Sequence, residues 1–332
     1  MEPSSSTHSY VHAISDQVLS DKLLFIQEIG FGNWGSVWLC KPKREEEGSH
    51  KIAVKLVHRS KTKTTAARVK SLWNEMKVVK ALSANGESHP SIIPFHSFIM
   101  TPSYALITME YLPTLIPVEV EESTSKSWFR SLLSAIKFCH SRGVVHNDIK
   151  PANILLSRAH VPVLVDFGFA EQYPREDANA FRSNLSYGTP EYLSPERARG
   201  HLHDTRKSDI WSLGISLFEI LVGRTPFEHS DGEQFTTKED LERYWERTVK
   251  GKWIGPYKMS RSLEKLLQKM LCPNAEMRCT AVEACNDIYW SVESPSSTVS
   301  SHSTSFLLLF HLHPSFSIRP SHPSSPCLPF VL

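Results

Sequence analysis

One eight-residue stretch is the strongest indication of the fold of this chain: His146-Asn147-Asp148-Ile149-Lys150-Pro151-Ala152-Asn153. It brings a carboxylate, an amine and a carboxamide close together in the sequence. Apolar runs flank it, Gly143-Val144-Val145 before and Ile154-Leu155-Leu156 after, and each run has the length of a short buried strand. A polar cluster between two buried strands is typical of a catalytic loop.

The length and composition indicate a folded protein with two lobes or domains. At 332 residues, of which 40% are hydrophobic, the chain exceeds what one small core holds and has apolar material for two. The formal net charge of +2 is too small to indicate nucleic-acid or membrane binding from global charge. We therefore expect no nucleic-acid partner.

The cysteines and the absence of long apolar runs predict a location in the cytosol or nucleus. The six cysteines form no C-x-x-C pair, which argues against a zinc site, and their spread resembles reduced intracellular usage. Residues 1–19 lack the continuous apolar core of a secretory signal. No apolar run reaches the roughly 18 residues that a membrane span requires.

A glycine motif near the start of the chain predicts a turn between two strands. Gly30, Gly32, Gly35 and Val37 form the pattern G-x-G-x-x-G-x-V between two alternating apolar segments. An ordinary hairpin turn also explains three glycines. A strand follows the motif, whereas a helix follows it in dinucleotide-binding folds, so the pattern argues against that class.

A lysine and a glutamate further along form a candidate ion pair. The alternating strand of residues 51–57 contains Ala53 and carries Lys55. The simpler explanation of Lys55 is an ordinary solvated side chain on a strand. Residues 65–82 have apolar positions at helical spacing, and Glu75 is their only acidic residue. Glu75 is therefore the one carboxylate that this helix offers to a partner.

Three further motifs follow the opening stretch in order. Asp166-Phe167-Gly168 comes after a short apolar strand, and residues 169–190 are polar and read as a mobile segment. That segment ends in Gly188-Thr189-Pro190-Glu191-Tyr192-Leu193-Ser194-Pro195-Glu196. The helix predicted over 208–221 is apolar nearly all round, so Asp209 within it needs a buried partner.

Together these motifs resemble the eukaryotic protein kinases, over about residues 23–290. The resemblance implies an α+β, bilobal fold with a small β-rich N-lobe of about 23–111 and a larger helical C-lobe of about 112–290. Residues 1–22 are then a polar extension, with order beginning at Leu23. Residues 291–332, rich in Ser and Pro, are expected to form a disordered tail.

The resemblance also implies ATP-dependent phosphorylation of Ser or Thr hydroxyls on proteins, with ATP and Mg²⁺ as cofactors. Asp148 would be the catalytic base, and Lys150 would neutralise the γ-phosphate, as in Ser/Thr kinases. Asn153 and Asp166 would hold the metal ion. Lys55, fixed by Glu75, would bind the nucleotide phosphates, and Thr189 would bond to both Asp148 and Lys150. By the same pattern, Asp209 would accept backbone hydrogen bonds from the catalytic loop, and Arg278 would pair with Glu196.

Further residues would form the nucleotide site by the same resemblance. The glycine loop would cover the phosphates, and the strand of residues 104–112 would be the hinge, with Met109 as gatekeeper. The backbone of two hinge residues would bond to adenine. The expected contacts are Gly30, Gly32, Gly35, Val37, Ala53, Lys55, Met109, Glu110, Leu112 and Leu155.

The one departure from the catalytic-loop pattern is Asn147, where the family usually has Arg. In many members that Arg pairs with a phosphorylated residue of the activation segment, which residues 169–190 would form in this chain. A neutral Asn cannot supply the charge. We therefore predict a weak dependence on phosphorylation of this segment, although Ser183, Ser186 and Tyr187 are available as sites.

Two other functions compete with an active protein kinase. A pseudokinase-type scaffold, a binding module of the same fold, would lack one of the charged residues that the chemistry needs, and none is missing here. A small-molecule kinase of related fold would lack the motifs at 188–196 and 209–214. Within the protein kinases, the loop and its Asp-Phe-Gly-Phe-Ala context look nearest to calmodulin-dependent-kinase-like Ser/Thr enzymes.

An uneven share of positive charge lies between residues 51 and 80, which contain nine Lys or Arg and one acid. A solvated helix face and linker are the simpler explanation. The alternative is a docking surface for an acidic or phosphorylated partner.

Overall fold

The computed structural model describes residues 10–32, 35–43, 51–59, 63–83, 86–229 and 232–291. The tail predicted over 291–332 lies outside the described residues except for Ser291. So do residues 1–9 of the predicted extension and the tip of the glycine loop.

The N-lobe is built on one six-stranded sheet, in the order β1-β5-β6-β4-β3-β2. Neighbouring strands are antiparallel, except that β1 runs parallel to β5. Helix α2 packs on this sheet through the cluster that contains Leu72, Met76 and Phe98. The elements are β1 (Val11–Ala13), α1 (Asp16–Lys22), β2 (Leu23–Gly32), β3 (Gly35–Pro42), β4 (Ile52–His58), α2 (Lys63–Leu82), β5 (Phe95–Met100) and β6 (Tyr104–Glu110).

Residues 10–20 are ordered, so the expectation of a loose extension up to Leu23 is wrong for this part. Strand β1 adds to the edge of the sheet beside β5. Helix α1 is capped by Ser15, whose hydroxyl accepts a hydrogen bond from the backbone of Val18, and it buries Leu19. The polar composition concealed this because β1 exposes every side chain and derives its order from backbone pairing.

The apolar residues from Ile92 to Phe95 predict a strand in the sequence, but the strand begins only at Phe95 and continues to Met100. Proline at 90 and at 94 removes two backbone donors, which prevents a regular ladder there. Ile92 and Ile93 are buried in the main core instead, where the backbone N–H of Ile93 donates to Leu164. This segment therefore attaches the sheet to the second lobe.

The C-lobe is mainly helical and is packed around α5. Thirteen residues of α5 are buried, as expected from its apolar surface, and Gly223 ends it with φ 82°. The apolar spacing predicts helices over 127–141 and 208–221, but α3 begins at Glu122 and α5 at Thr205, because polar residues occupy their first turns. The helices are α3 (Glu122–Ser141), α4 (Pro195–Ala198), α5 (Thr205–Val222), α6 (Lys238–Lys250), α7 (Arg261–Met270) and α8 (Ala281–Cys285).

Short strands frame the catalytic loop and the segment of residues 169–190. Within the segment that the sequence predicts to be mobile, β11 pairs with β8 and β12 pairs with β13. Two-residue strands are too short to show a period in the sequence. The strands are β7 (Thr114–Leu115), β8 (Val144–Val145), β9 (Ile154–Leu156), β10 (Pro162–Leu164), β11 (Glu171–Gln172), β12 (Arg182–Ser183) and β13 (His203–Asp204).

Across the described ranges, every helix is too short or too polar to traverse a bilayer. The five described cysteines are free thiols: Cys40, Cys139, Cys272, Cys279 and Cys285. The predicted location in the cytosol or nucleus stays a prediction.

Candidate active site

Asp209 holds the backbone of the catalytic loop from inside helix α5. Its two carboxylate oxygens accept hydrogen bonds of 2.9 Å from the backbone N–H groups of His146 and Asn147. Nε2 of His140 lies 3.0 Å from Oδ2. Burial opposes the ionisation of Asp209, but these hydrogen bonds and neighbouring histidines outweigh it and lower its pKa. The partner that a buried Asp requires is therefore the loop itself, as the sequence analysis predicted.

His146 connects the loop to the segment that carries Asp166. Its imidazole Nε2 lies 3.2 Å from the carbonyl oxygen of Val165, and its ring centroid lies 4.6 Å from that of Phe167. The backbone N–H of Val165 also donates to the carbonyl of Asn153 across 3.0 Å. Two stretches that are distant in the sequence are thus held side by side.

The carboxylate of Asp148 is the centre of a dense hydrogen-bond network. Its Oδ1 accepts from the hydroxyl of Thr189 at 2.7 Å and from the Thr189 backbone N–H at 3.0 Å. Its Oδ2 accepts from the carboxamide of Asn153 at 3.0 Å. The ammonium of Lys150 lies 3.1 Å from Oδ2 and 2.6 Å from the Thr189 hydroxyl. All four side chains predicted to act together are in contact.

Lys55 is buried between two carboxylates. Its Nζ lies 2.7 Å from Oε2 of Glu75 and 2.7 Å from Oδ1 of Asp166. Burial opposes the charged ammonium, but the two carboxylates outweigh it and raise the pKa of Lys55. The predicted ion pair with Glu75 is present, and Asp166 is a second partner that the spacing did not indicate.

Asp166 occupies a restrained position at the entrance to the Asp-Phe-Gly turn. Its φ of 60° lies in the left-handed region, which Asp tolerates better than most residues. The backbone N–H of Gly168 donates to Oδ1 at 3.3 Å. Burial alone would raise the pKa of Asp166, but the charge of Lys55 outweighs it and the pKa falls to about 2. The carboxylate is therefore ionised at neutral pH.

Asn153 and Asp166 fit the requirements of a magnesium site. Asn153 donates its Nδ2 to the carbonyl and carboxylate of Asp148, so its Oδ1 is not used in those contacts. Mg²⁺ prefers oxygen ligands, and it commonly uses one or two protein ligands together with waters and substrate phosphates. No cluster of three or more His, Cys, Asp or Glu among the described residues forms a complete metal cage. Asn153 and Asp166, of which Asp166 also contacts Lys55, agree with this sparse type of site.

Strand register brings the predicted nucleotide contacts of the N-lobe together. Val37 pairs with Lys55, and Ala53 pairs with Met109. Gly35 requires glycine, since a Cβ there would lie 2.2 Å from the carbonyl oxygen of Leu56 and its φ is 135°. At Gly30 a Cβ would meet only ordinary contacts, starting at 3.6 Å.

The remaining predicted nucleotide contacts lie where the two lobes meet. Leu112, two residues after strand β6, is buried in the main core, and Leu155 packs against that core from β9. The backbone N–H of Glu110 donates to the carbonyl of Pro94 at 3.4 Å. Gly32 pairs with Gly35 at the end of the hairpin.

Glu196 and Arg278 form a buried pair below the site. The guanidinium bonds to both oxygens of Glu196, at 2.7 and 2.9 Å, and lies 4.9 Å from the ring centroid of Trp211. Burial would raise the pKa of Glu196, but Arg278 outweighs it and lowers the pKa to about 2. The pairing predicted from position is present.

Arg197 is the residue of this region that sequence reasoning missed. It lies one position after Glu196 in α4, is 1% exposed, and contacts the side chain of Asn147. The available signal was its position directly after the Ser-Pro-Glu motif, because a basic residue in a buried turn requires a specific partner.

The basic residues between 51 and 80 do not form a uniform surface. Lys55 is buried in the site, and Lys80 lies 4.7 Å from the ring centroid of Tyr10. Lys61 lies outside the described residues. The other basic side chains with described exposure face solvent: Lys51, Arg59, Arg68, Lys70 and Lys77. A docking partner for them stays a prediction.

Comparison with known proteins identifies the family. A family model for the protein kinase domain matches residues 23–290. Putative CBL-interacting protein kinase 27 of Oryza sativa subsp. japonica is 29% identical over 261 residues, or 76% of this chain and 59% of that protein. CBL-interacting protein kinase 4 of the same organism is 29% identical over 265 residues, or 77% of this chain and 54% of that protein.

This chain therefore spans little more than half the length of the curated relatives it matches. The family model alone covers most of the chain, and it agrees with a β-sheet lobe joined to a helical lobe. The resemblance expected from the motifs is confirmed: the chain belongs to the protein kinase family.

Proposed function

We propose that this chain transfers the γ-phosphoryl group of ATP to Ser or Thr hydroxyls of protein substrates. The observation that carries the proposal is the Asp148 carboxylate, held by Thr189 and Asn153 with the Lys150 ammonium 3.1 Å away. This arrangement offers a base for the substrate hydroxyl beside a cation for the phosphoryl group. Phosphoryl transfer depends on such positioning and charge neutralisation.

In the proposed reaction, the substrate oxygen forms a bond to the γ-phosphorus while the bond to the β-phosphate oxygen breaks and ADP leaves. The hydroxyl proton passes to the carboxylate of Asp148, whose Oδ1 is held by Thr189 and whose Oδ2 is held by Asn153 and Lys150. Lys150 stabilises charge on the moving phosphoryl group. The position of Lys150 two residues after the base favours Ser and Thr over Tyr as acceptors, by the resemblance described above.

Lys55 would bind the α- and β-phosphates of ATP, and Glu75 would hold it in place. Asn153 and Asp166 would hold Mg²⁺, which supplies neutralisation of the phosphate charge when bound. Because the pKa of Asp166 is about 2, this carboxylate is ready for a cation at any physiological pH. The glycine hairpin and the hinge residues Glu110 and Leu112 would enclose the nucleotide.

We further propose that activity depends little on phosphorylation of the activation segment. Asn147 is neutral and its carboxamide is already engaged: Nδ2 donates to the carbonyl of Phe169 at 3.0 Å and to the hydroxyl of Tyr187 at 3.3 Å. These contacts connect the loop to both ends of the segment without a phosphate group.

The decisive experiment incubates the purified full chain with radiolabelled ATP, Mg²⁺ and a generic basic protein, followed by phosphoamino-acid analysis of the product. We expect phosphoserine or phosphothreonine, and loss of the signal in Asp148→Asn. Asp21→Asn, an exposed change in α1, is the matched control and should retain activity. Absence of transfer by the native chain, or equal transfer by Asp148→Asn, would contradict the proposal and favour a binding module.

A further inference from the structure

Arg197 is a fully buried cation that lacks an acidic partner in the described part of the chain. Its side chain is 1% exposed, and none of the ion pairs among the described residues includes it. Its Nε has no hydrogen-bond partner among those residues. A buried charge is costly unless its surroundings compensate it, so the groups that contact Arg197 require an explanation.

The carboxamide of Asn147 is the main polar partner of Arg197. Nη2 of Arg197 donates to Oδ1 of Asn147 across 2.6 Å, and the other end of the carboxamide donates to Phe169 and Tyr187. Asn147 therefore connects helix α4 with both ends of the activation segment. Its φ of 69° is a left-handed conformation, which Asn adopts more readily than most residues.

Tyr187 is the second group that compensates the charge. The guanidinium carbon of Arg197 lies 5.1 Å from the centroid of the Tyr187 ring, within the range of a cation–π contact. Phe169 stacks on the same ring with a centroid distance of 5.9 Å and an interplanar angle of 15°. Arg197 thus contacts Tyr187 near the end of the segment, and Tyr187 in turn contacts Phe169 at its beginning.

The contact of Tyr187 with the loop continues directly to the proposed base. At Gly188 a Cβ would lie 2.9 Å from the carbonyl oxygen of Asn147, so only glycine lets the segment rest on the loop here. The next residue, Thr189, bonds to Asp148 through its hydroxyl and its backbone. A shift of Tyr187 would therefore move the group that orients Asp148.

We infer that Arg197 is a positioning residue for the proposed phosphoryl transfer: through Asn147 and Tyr187 it locks the activation segment onto the catalytic loop. Since it is buried and its partners are neutral side chains, it acts without an incoming phosphate group. This inference rests on the proposed function and adds the cation that Asn147 does not provide. It also predicts that a second cation at position 147 is incompatible with Arg197.

The test uses four variants of the full chain, treated with phosphatase before assay. Arg197→Met should lower kcat about tenfold or more while KM for ATP stays within about twofold, because the Lys55 site is not touched. Arg197→Lys keeps the charge and should recover part of kcat. Asn147→Arg should be impaired, and Asn147→Arg combined with Arg197→Met should regain about tenfold in kcat over Asn147→Arg alone.

A direct readout of segment position accompanies the kinetics. Trypsin cleaves after Arg175 and Arg182, which are exposed in the segment, and Arg197→Met should accelerate this cleavage. The matched control is Arg199→Met, which removes an exposed arginine two positions further along and should leave kcat and cleavage in the segment unchanged.

The outcomes separate this inference from the proposed function. If the native chain transfers no phosphate, the proposed function fails. If the native chain is active and Arg197→Met keeps its kcat and its trypsin resistance, the inference is overturned. Should Arg197→Met fail to fold, the double variant decides: recovery relative to Asn147→Arg supports the inference, and no recovery overturns it.

Discussion

The hydroxyl of Thr189 donates a hydrogen bond of 2.7 Å to Oδ1 of Asp148, and the backbone N–H of the same threonine donates a second one of 3.0 Å. Thr189, near the end of the activation segment, therefore places two hydrogen bonds on one oxygen of the proposed base. The other oxygen, Oδ2, accepts from the carboxamide of Asn153 and lies 3.1 Å from the ammonium of Lys150. The contact between Asp148 and Thr189 therefore fixes both the position of the segment and the orientation of the proposed base.

Removing the Thr189 hydroxyl should impair the chemical step. Thr189→Val keeps the shape and loses the bonds to Asp148 and Lys150, so we expect kcat to fall about tenfold, or about 1.4 kcal/mol of barrier. Thr189→Ser keeps the hydroxyl and is the matched control. Steady-state kinetics with a basic protein substrate measure both, and equal kcat values for the two variants would count against the shared role.

The buried pair of Lys55 and Glu75 should act as a unit in nucleotide binding. Lys55→Met should raise KM for ATP and reduce kcat by two orders of magnitude or more, since it also removes the cation beside Asp166. Glu75→Gln added to Lys55→Met should cost little more, because the glutamate would act through the lysine. Nucleotide-binding titrations together with kinetics test this, with the exposed Lys77→Met as the control. Additive losses from the two changes would contradict the idea.

Activity should survive the loss of two serine hydroxyls in the activation segment. In Ser183→Ala combined with Ser186→Ala we expect less than a tenfold loss in kcat/KM, because Asn147, Tyr187 and Arg197 are already in contact without a phosphate. The measurement compares this variant with the native chain before and after phosphatase treatment. A loss above tenfold would refute the prediction of weak dependence on phosphorylation.

The buried ion pair of Glu196 and Arg278 should stabilise the fold, and breaking it should lower the free energy of unfolding. Arg278→Met leaves Glu196 charged and without its bidentate partner, and we expect a loss of about 3 to 5 kcal/mol in the free energy of unfolding. Combining it with Glu196→Gln should lose less, since the uncompensated charge is removed as well. Urea denaturation measures the difference. A double variant less stable than Arg278→Met would show that charge burial is not the cause.

The carboxyl group of Glu219 should make stability depend on pH, because burial opposes its ionisation. Burial, together with the charges of Glu228 and Glu191, raises the pKa of Glu219 to about 7, and this outweighs the hydrogen bond from Tyr192. A folded-state pKa above the ordinary value of 4.5 means that Glu219 stabilises the fold at low pH and that this contribution is lost as the pH rises to about 7.

Glu219→Gln should remove this dependence. Relative to the native chain, the variant should gain about 2 to 3 kcal/mol in unfolding free energy between pH 4.5 and pH 8, since one pKa unit corresponds to about 1.36 kcal/mol. Urea denaturation at pH 5, 6, 7 and 8 gives the curve. A constant difference between the two proteins across that range would contradict the raised pKa.

Several tertiary contacts were predictable because a local pattern left one chemical demand open. The family resemblance required a glutamate to pair with Lys55, and a helix with one acidic residue indicated Glu75. The apolar helix around Asp209 indicated that this residue needs a buried partner, and the resemblance implied that the partner is the backbone of the catalytic loop. The position of Arg197 after the Ser-Pro-Glu motif was a weaker signal, because its burial depends on how α4 packs. The ordered residues 10–20 were missed because pairing with β5, and not apolar periodicity, orders strand β1.

Spacing and periodicity, which are local properties of a chain, were enough to predict the order of the two lobes and the positions of the catalytic loop, the Asp-Phe-Gly turn and the glycine hairpin. The folded arrangement was needed to show that Lys55 and Asp166, 111 residues apart, meet at 2.7 Å, and that Asn147 contacts a buried arginine. Such contacts depend on sheet register and on the packing of the lobes, because side chains far apart in sequence meet only where the folded backbone brings them together.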